Sequence, residues 1–360
     1  MFKLFDRYIF FRLLTITLSV LAILIFIFIM IDFSENSDDF TDNGAKLAEI
    51  WGDYYLNYIP EMIRLVVPVA VFTACLFLTG QLSERLEITA LKAAGVSLYR
   101  LSLPFIVFAI FVALIISYLD ANTIPTSNKE RIEFEQKFIK RKSETIDRNN
   151  IYRELSDNSV LRISFYDKSK NIGYRINIVG IKDTGIEQTL TANQMHWQEE
   201  TENWMLHDVV ERTFYEGGYS ERTVAELDTM LSVLPRDLSR TTSDIYQLTY
   251  KEAQDYINSI ARSGAGSINV PKVQYLGRVV YPFSIIVVMI VGFSVASVRR
   301  RGGKGIYIAS GLTISFLYLA FMKIAEPFGY YGGITPLTAV TLPHIFFLLL
   351  GVVLLIQAKK

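Results

Sequence analysis

The sequence predicts an α-helical polytopic membrane protein with six transmembrane helices and an inserted all-β, jelly-roll-like domain between the third and fourth. Three observations lead there. The 360-residue chain is 51% hydrophobic, too apolar for an ordinary soluble domain, yet 20% of it is charged, so the charges must be segregated. Six apolar runs approach the roughly 20 residues that cross about 30 Å of hydrocarbon. The long polar interval between the third and fourth runs divides into short β-rich segments separated by turn residues.

The spans read as Leu13 to Ile31, Leu65 to Leu82, Leu101 to Leu119, Val279 to Val298, Ile306 to Met322 and Ile334 to Ile356. The first is longer than the apolar core of a secretory signal. The residues after it, Asp32 to Asn36, offer no small-residue cleavage site, so it reads as a retained anchor. Orientation follows from lysine and arginine, which stay cytoplasmic near spans. Lys3, Arg7 and Arg12 precede span one; Arg85, Lys92 and Arg100 follow span two. Arg299, Arg300, Arg301 and Lys304 follow span four, and Lys359 and Lys360 end the chain. On the opposite side, Ser34 to Tyr58 holds Lys46 against Glu35, Asp38, Asp39, Asp42, Glu49 and Asp53. Both termini are therefore expected in the cytoplasm and the polar interval outside it.

Within that interval, Asn128 to Arg141 reads as a charged helix. Strands are expected at Val160 to Tyr166, Gly173 to Ile181, Ile186 to Ala192, Trp204 to Tyr215 and Thr229 to Val233. Turns fall at Ser156 to Asn158, Lys182 to Gly185 and Glu216 to Gly218. Trp197 and Trp204 read as core aromatics. Ser243 to Ser263 reads as an amphipathic helix, and Ser263 to Ser267 as a flexible hinge. The expected division is 1–127 for spans one to three, 128–245 for the β domain, 246–270 for the amphipathic helix and hinge, and 271–360 for spans four to six.

Catalytic signatures are missing from the sequence. It has no GxSxG, HExxH or CxxC, and Arg301 to Gly305 lacks the GxxxxGK[ST] spacing of a phosphate loop. One cysteine, Cys75, excludes an internal disulfide, and His196, His207 and His344 are scattered. A formal net charge of +0 supplies no bulk field for nucleic acid. The expected protein is therefore no enzyme, holds no cofactor or metal of its own, and takes energy from a partner.

The stretch Ser83 to Gly95, SERLEITALKAAG, has high helix propensity and ends on a glycine cap. Leu86, Ala90, Leu91 and Ala94 share one face, with Glu84, Glu87 and Lys92 toward the other. A short charged helix joined at both ends to spans is built like a lever; the plain alternative is a solvated loop helix.

This motif resembles the coupling helix of the LptF/LptG (YjgP/YjgQ) family, the permease subunits of the bacterial lipopolysaccharide-export ABC transporter. The resemblance extends to the opening Leu4 to Ile9, to Gly277 to Pro282 at span four, to Arg299 to Gly302, and to Pro336 through Pro343. The Asp6-Arg7-Tyr8 opening and Ile31-Asp32-Phe33 look more like the LptG type. The resemblance implies a multi-pass inner-membrane permease with a periplasmic β domain. It implies a heterodimer with an LptF-type subunit, a cytoplasmic ATPase dimer that binds the ATP, a periplasmic bridge protein reached by strand addition, and lipopolysaccharide as substrate. Glu84, Arg85, Glu87, Leu91 and Gly95 would form the ATPase-coupling helix at 83–95, with Glu87 the polar contact.

Arg64, Arg278 and Lys323, near the outer ends of spans two, four and five, are candidate contacts for lipid phosphates. Against this stand i,i+3 ion pairs of Arg64 with Glu61 and of Lys323 with Glu326, and simple snorkelling of Arg278. The LptG type carries basic residues just beyond span one, where this chain has Asp32, Glu35, Asp38 and Asp39, so that part of the lipid contact does not transfer. Two other readings remain open: a different ABC-type lipid or lipoprotein exporter subunit, and a membrane-anchored sensor or scaffold with a ligand-binding β domain.

Overall fold

The computed structural model describes residues 4–139, 151–156, 158–167, 170–182, 185–198, 201, 203–231, 233–235, 238, 242–262, 268–298 and 304–358. The expected hinge at Ser263 to Ser267 and the basic turn Arg299 to Gly303 lie outside them, as do Lys3, Lys140, Arg141, Lys359 and Lys360. Two compact units emerge: one of residues 1–139, 246–250 and 269–360, the other of residues 140–245 and 251–268.

The first unit is helical. α1 spans Leu4–Asp42, so the segment after span one is a continuation of the helix rather than a loop. At about 1.5 Å per residue it is far longer than the hydrocarbon layer. A helical turn, Leu47–Glu49, and a π-helical turn, Ile50–Tyr55, lead into α2, Leu56–Glu84. The short α3 is Glu87–Ala93, and α4 is Leu98–Tyr118. A second π-helical turn, Leu119–Thr123, continues into α5, Ile124–Phe138. α5 buries Phe134 and Phe138 with Phe40, Tyr54 and Tyr55, which carries this unit past the boundary expected at residue 128. After the β domain come α7, Asn269–Val280, and α8, Phe283–Ala296; α9, Lys304–Tyr330, and α10, Pro336–Ala358, complete the unit. The label α6 belongs to Tyr250–Arg262.

Among the described residues four helices are long and apolar enough to cross a membrane, and the pair α7–α8 makes a fifth if it counts as one span. That pair bends by 52°. Pro282 sits at the break: it has no N–H to donate and its ring crowds the preceding turn. The fourth apolar run therefore begins its straight course at Phe283, later than the expected Val279. α9, with 27 residues, supplies the remaining helix.

Small residues let these helices approach closely, as they must where lipid is as apolar as leucine. A Cβ on Gly292 would lie 3.1 Å from the Phe72 ring, and one on Gly351 would lie 2.9 Å from Val291 Cγ2. The exception to close packing is α1: only 11% of its apolar window is buried, against 67% for α2.

The second unit contains six strands: β1 Ile151–Ser156, β2 Ser159–Asp167, β3 Ile172–Lys182, β4 Gly185–Gln198, β5 Asn203–Tyr215 and β6 Gly218–Thr229. All neighbours are antiparallel and the order is β1-β2-β3-β4-β5-β6. The β domain is as expected, but the described strands form one sheet in meander order rather than the crossed connections of a jelly roll. Its core holds Leu161, Ile163, Ile176, Met195, Trp204 and Leu206. Trp204 is fully buried, donates its indole N–H to the Val233 carbonyl at 2.7 Å, and meets Trp197 edge-on at 5.2 Å. Both tryptophans are core aromatics, as expected. The expected strand Thr229 to Val233 is corrected: β6 ends at Thr229. The expected single helix Ser243 to Ser263 is a 3₁₀ turn, Thr242–Gln247, followed by α6.

Candidate functional site

Arg64, Arg278 and Lys323, far apart in sequence, line one cavity of the helical unit together with Tyr246, Gln274, Tyr281, Glu326, Tyr330 and His344. The cavity is small, about 80 Å3. The three cations differ sharply in what they are free to do.

Arg278 is 1% exposed. Its Nη1 donates to the Leu248 carbonyl at 2.7 Å and its Nη2 to the Asp120 carbonyl at 2.7 Å. Its Nε reaches Asp120 Oδ2 at 3.4 Å, and its guanidinium lies 4.9 Å from the Tyr250 ring centroid. Tyr250 donates its hydroxyl to the same Asp120 oxygen at 2.9 Å. Burial first, and then the Asp120 charge, raises the Tyr250 pKa, so it remains a donor at neutral pH. Arg278 is thus neither a snorkelling cation nor an open phosphate ligand. It fixes the end of α4 and the segment 246–250 against α7.

Arg64 is only loosely paired. It lies 3.8 Å from Glu61 and 3.9 Å from Asp120, and its Nε has no hydrogen-bond partner among the described residues. The rings of Tyr246 and Tyr281 flank it at 5.2 and 5.7 Å. Burial is also the main cause of a raised Tyr246 pKa, with Arg64 acting in the opposite direction. Glu61 is shared with Arg131 at 3.2 Å. Lys323 makes the expected pair with Glu326, at 2.9 Å, but its side chain is 69% exposed. Lys323 and Arg64 are thus held by looser or more exposed pairs than Arg278. His344 is engaged differently, in a buried hydrogen bond with Tyr318.

The acidic residues beyond span one lie on the continuation of α1 past its apolar run. Asp32 there accepts hydroxyl hydrogen bonds from Tyr54 and Tyr55, each at 3.1 Å. No local pattern announces this pairing, or the role of Asp120, which has no charged neighbour within a helical turn.

The lever-like helix is shorter than 83–95. α2 carries Ser83 and Glu84, and Leu86 adopts a left-handed conformation, φ 61°, that breaks the helix before α3 begins at Glu87. Gly95, φ 87°, closes it, its N–H bonding to the Lys92 carbonyl at 3.0 Å and that of Val96 to Leu91 at 3.0 Å. Ile88 is buried and Leu91 half-buried against the bundle, while Leu86 (44% exposed), Arg85, Ala90, Lys92 and Ala94 face outward. An apolar strip rimmed by charge is left uncovered on a rigid two-turn element.

The fold and these features define a class: a polytopic membrane protein with an inserted antiparallel β domain, an uncovered helical lever between two spans, and a cation-lined cavity among helix ends. The family model described as "Lipopolysaccharide export system permease LptF/LptG" matches residues 7–357. The chain belongs to this family. It is a multi-pass inner-membrane protein of the transporter type, acting as a permease of a lipopolysaccharide-export system that includes further subunits. No curated protein matches it.

Proposed function

We propose that the chain is the LptG-type subunit of an ABC transporter that extracts lipopolysaccharide from the outer leaflet of the inner membrane and passes it to a periplasmic bridge. Its termini and α3 lie in the cytoplasm, by the placement of basic residues, and its β domain in the periplasm. A separate ATPase dimer binds the ATP; an LptF-type subunit completes the permease. The observation that carries this reading is α3: a capped helix between spans, packed through Ile88 and open along Leu86, Ala90 and Ala94. An ATPase groove would cover that strip, with Glu87 as the polar contact.

Two further features fit. The apolar face of α1 is exposed at Ile23, Phe26, Met30 and Ile31, as suits a helix that meets lipid or a second permease subunit. Arg64 and Lys323 retain donors for a phosphate. Among the described strands β6 lies at the edge of the sheet with mostly exposed side chains, suited to strand addition by a bridge protein.

The test is co-purification of the full chain in mild detergent. Wild type should bring down a cytoplasmic ATPase and a second six-span subunit. Glu87→Arg should keep the second subunit and lose the ATPase. Full ATPase recovery with Glu87→Arg would remove α3 as the coupling element.

A further inference from the structure

We infer that the Asp6–Arg100 ion pair, a buried carboxylate gripped by a part-exposed guanidinium, is the joint through which movement of α3 reaches α1, which makes Asp6 and Arg100 positioning residues of the export cycle. The inference rests on the reading of α3 as the coupling helix and goes beyond it by naming the path the motion takes next.

The first observation is how α1 is held. Its apolar stretch is largely exposed, while its far end is tied by Phe40 and by the bonds of Asp32 to Tyr54 and Tyr55. Its base is different. Asp6 is 2% exposed and takes a two-pronged bond from Arg100, Nη1 to Oδ1 at 2.8 Å and Nη2 to Oδ2 at 2.6 Å. A guanidinium fork on a carboxylate fixes orientation as well as distance, which an apolar contact that can slide does not.

The second observation is where Arg100 sits. It lies in the first turn of α4, directly after α3 and its Gly95 cap, and its own N–H is held by Ser97 Oγ at 3.2 Å. One further bond reaches the other stem: Arg12 Nη2 donates to Gln81 Oε1, on the last turns of α2, at 3.3 Å. The base of α1 therefore grips both stems of the loop that carries α3. Ile88 of α3 is buried in the same cluster as Ile9 and Leu13 of α1, Leu82 of α2 and Leu98 of α4. A push on α3 displaces these stems, and the two-pronged bond obliges α1 to follow. A helix whose apolar stretch is open and whose base is fixed in orientation by a fork turns with that base. Breaking the bond would leave the ATPase docked and turning over while α1 no longer responds.

The experiment uses the complex that co-purifies with the full chain, reconstituted in liposomes containing lipopolysaccharide, and reads lipid released per ATP hydrolysed. Asp6→Asn and Arg100→Lys, which keep the shape or the charge, should lower that ratio about tenfold while ATP hydrolysis and complex yield hold. The exchanged pair Asp6→Arg with Arg100→Asp should recover most of it. An unchanged ratio in both single variants, or release and hydrolysis falling together with yield, would overturn the joint. Glu87→Arg, run in parallel, separates the two claims: loss of the ATPase there with an unchanged ratio in the Asp6 variants sinks the joint alone. Full ATP-driven release with Glu87→Arg sinks the coupling reading on which the joint depends.

Discussion

Arg278 shows how burial decides what a charged side chain does. Its guanidinium is spent on two carbonyls, a carboxylate and a tyrosine face, all inside the helical unit. Removing either charge strands the other in a low-dielectric site, which costs about 3–5 kcal/mol. Arg278→Met and Asp120→Asn should each lower the thermal midpoint of the detergent-purified chain by several degrees, and their combination should cost less than the sum. Additive losses would mean the two do not share one site. Sequence legibility divides along the same line. The Lys323–Glu326 pair and the Arg64–Glu61 approach follow from i,i+3 spacing and are seen. The partners of Arg278 lie 158 and 30 residues away, and those of Asp32 lie 22 and 23 away, separations across which no local pattern operates.

At the scale of elements, apolar runs are legible because the bilayer imposes their length, and boundaries are less so because capping and breaks are set by single backbone angles. The left-handed Leu86 shortens the lever helix, and Pro282 delays the straight part of the fourth run. β6 went unread for another reason. Its sequence, rich in polar residues such as Glu221, Arg222, Thr223, Glu226 and Asp228, has no apolar alternation, and it is a strand because β5 pairs with it through the backbone. Close helix contacts yield a sharper expectation. Gly351→Leu drives a side chain into Val291 and Ile290 of α8 and should destabilise by about 1–3 kcal/mol. Gly52→Ala, with open space around it, should be neutral or mildly stabilising by about 0.5–1 kcal/mol. Thermal unfolding of the two purified variants checks both; equal stability would mean α8 and α10 do not pack as described.

On the scale of the whole molecule, the distribution of exposure is what suits a transport subunit. Helices α2 and α8 are well buried, α1 is apolar and open, and the lever and the β6 edge are uncovered. The most direct measurement is transfer of lipopolysaccharide out of proteoliposomes that contain the co-purified complex, followed with and without ATP. Transfer should require ATP, and the Arg64→Glu, Lys323→Glu double variant should transfer about tenfold less while still hydrolysing ATP. Transfer that proceeds equally without nucleotide, or an intact complex that hydrolyses ATP and moves no lipid, would contradict a permease driven by its ATPase partner.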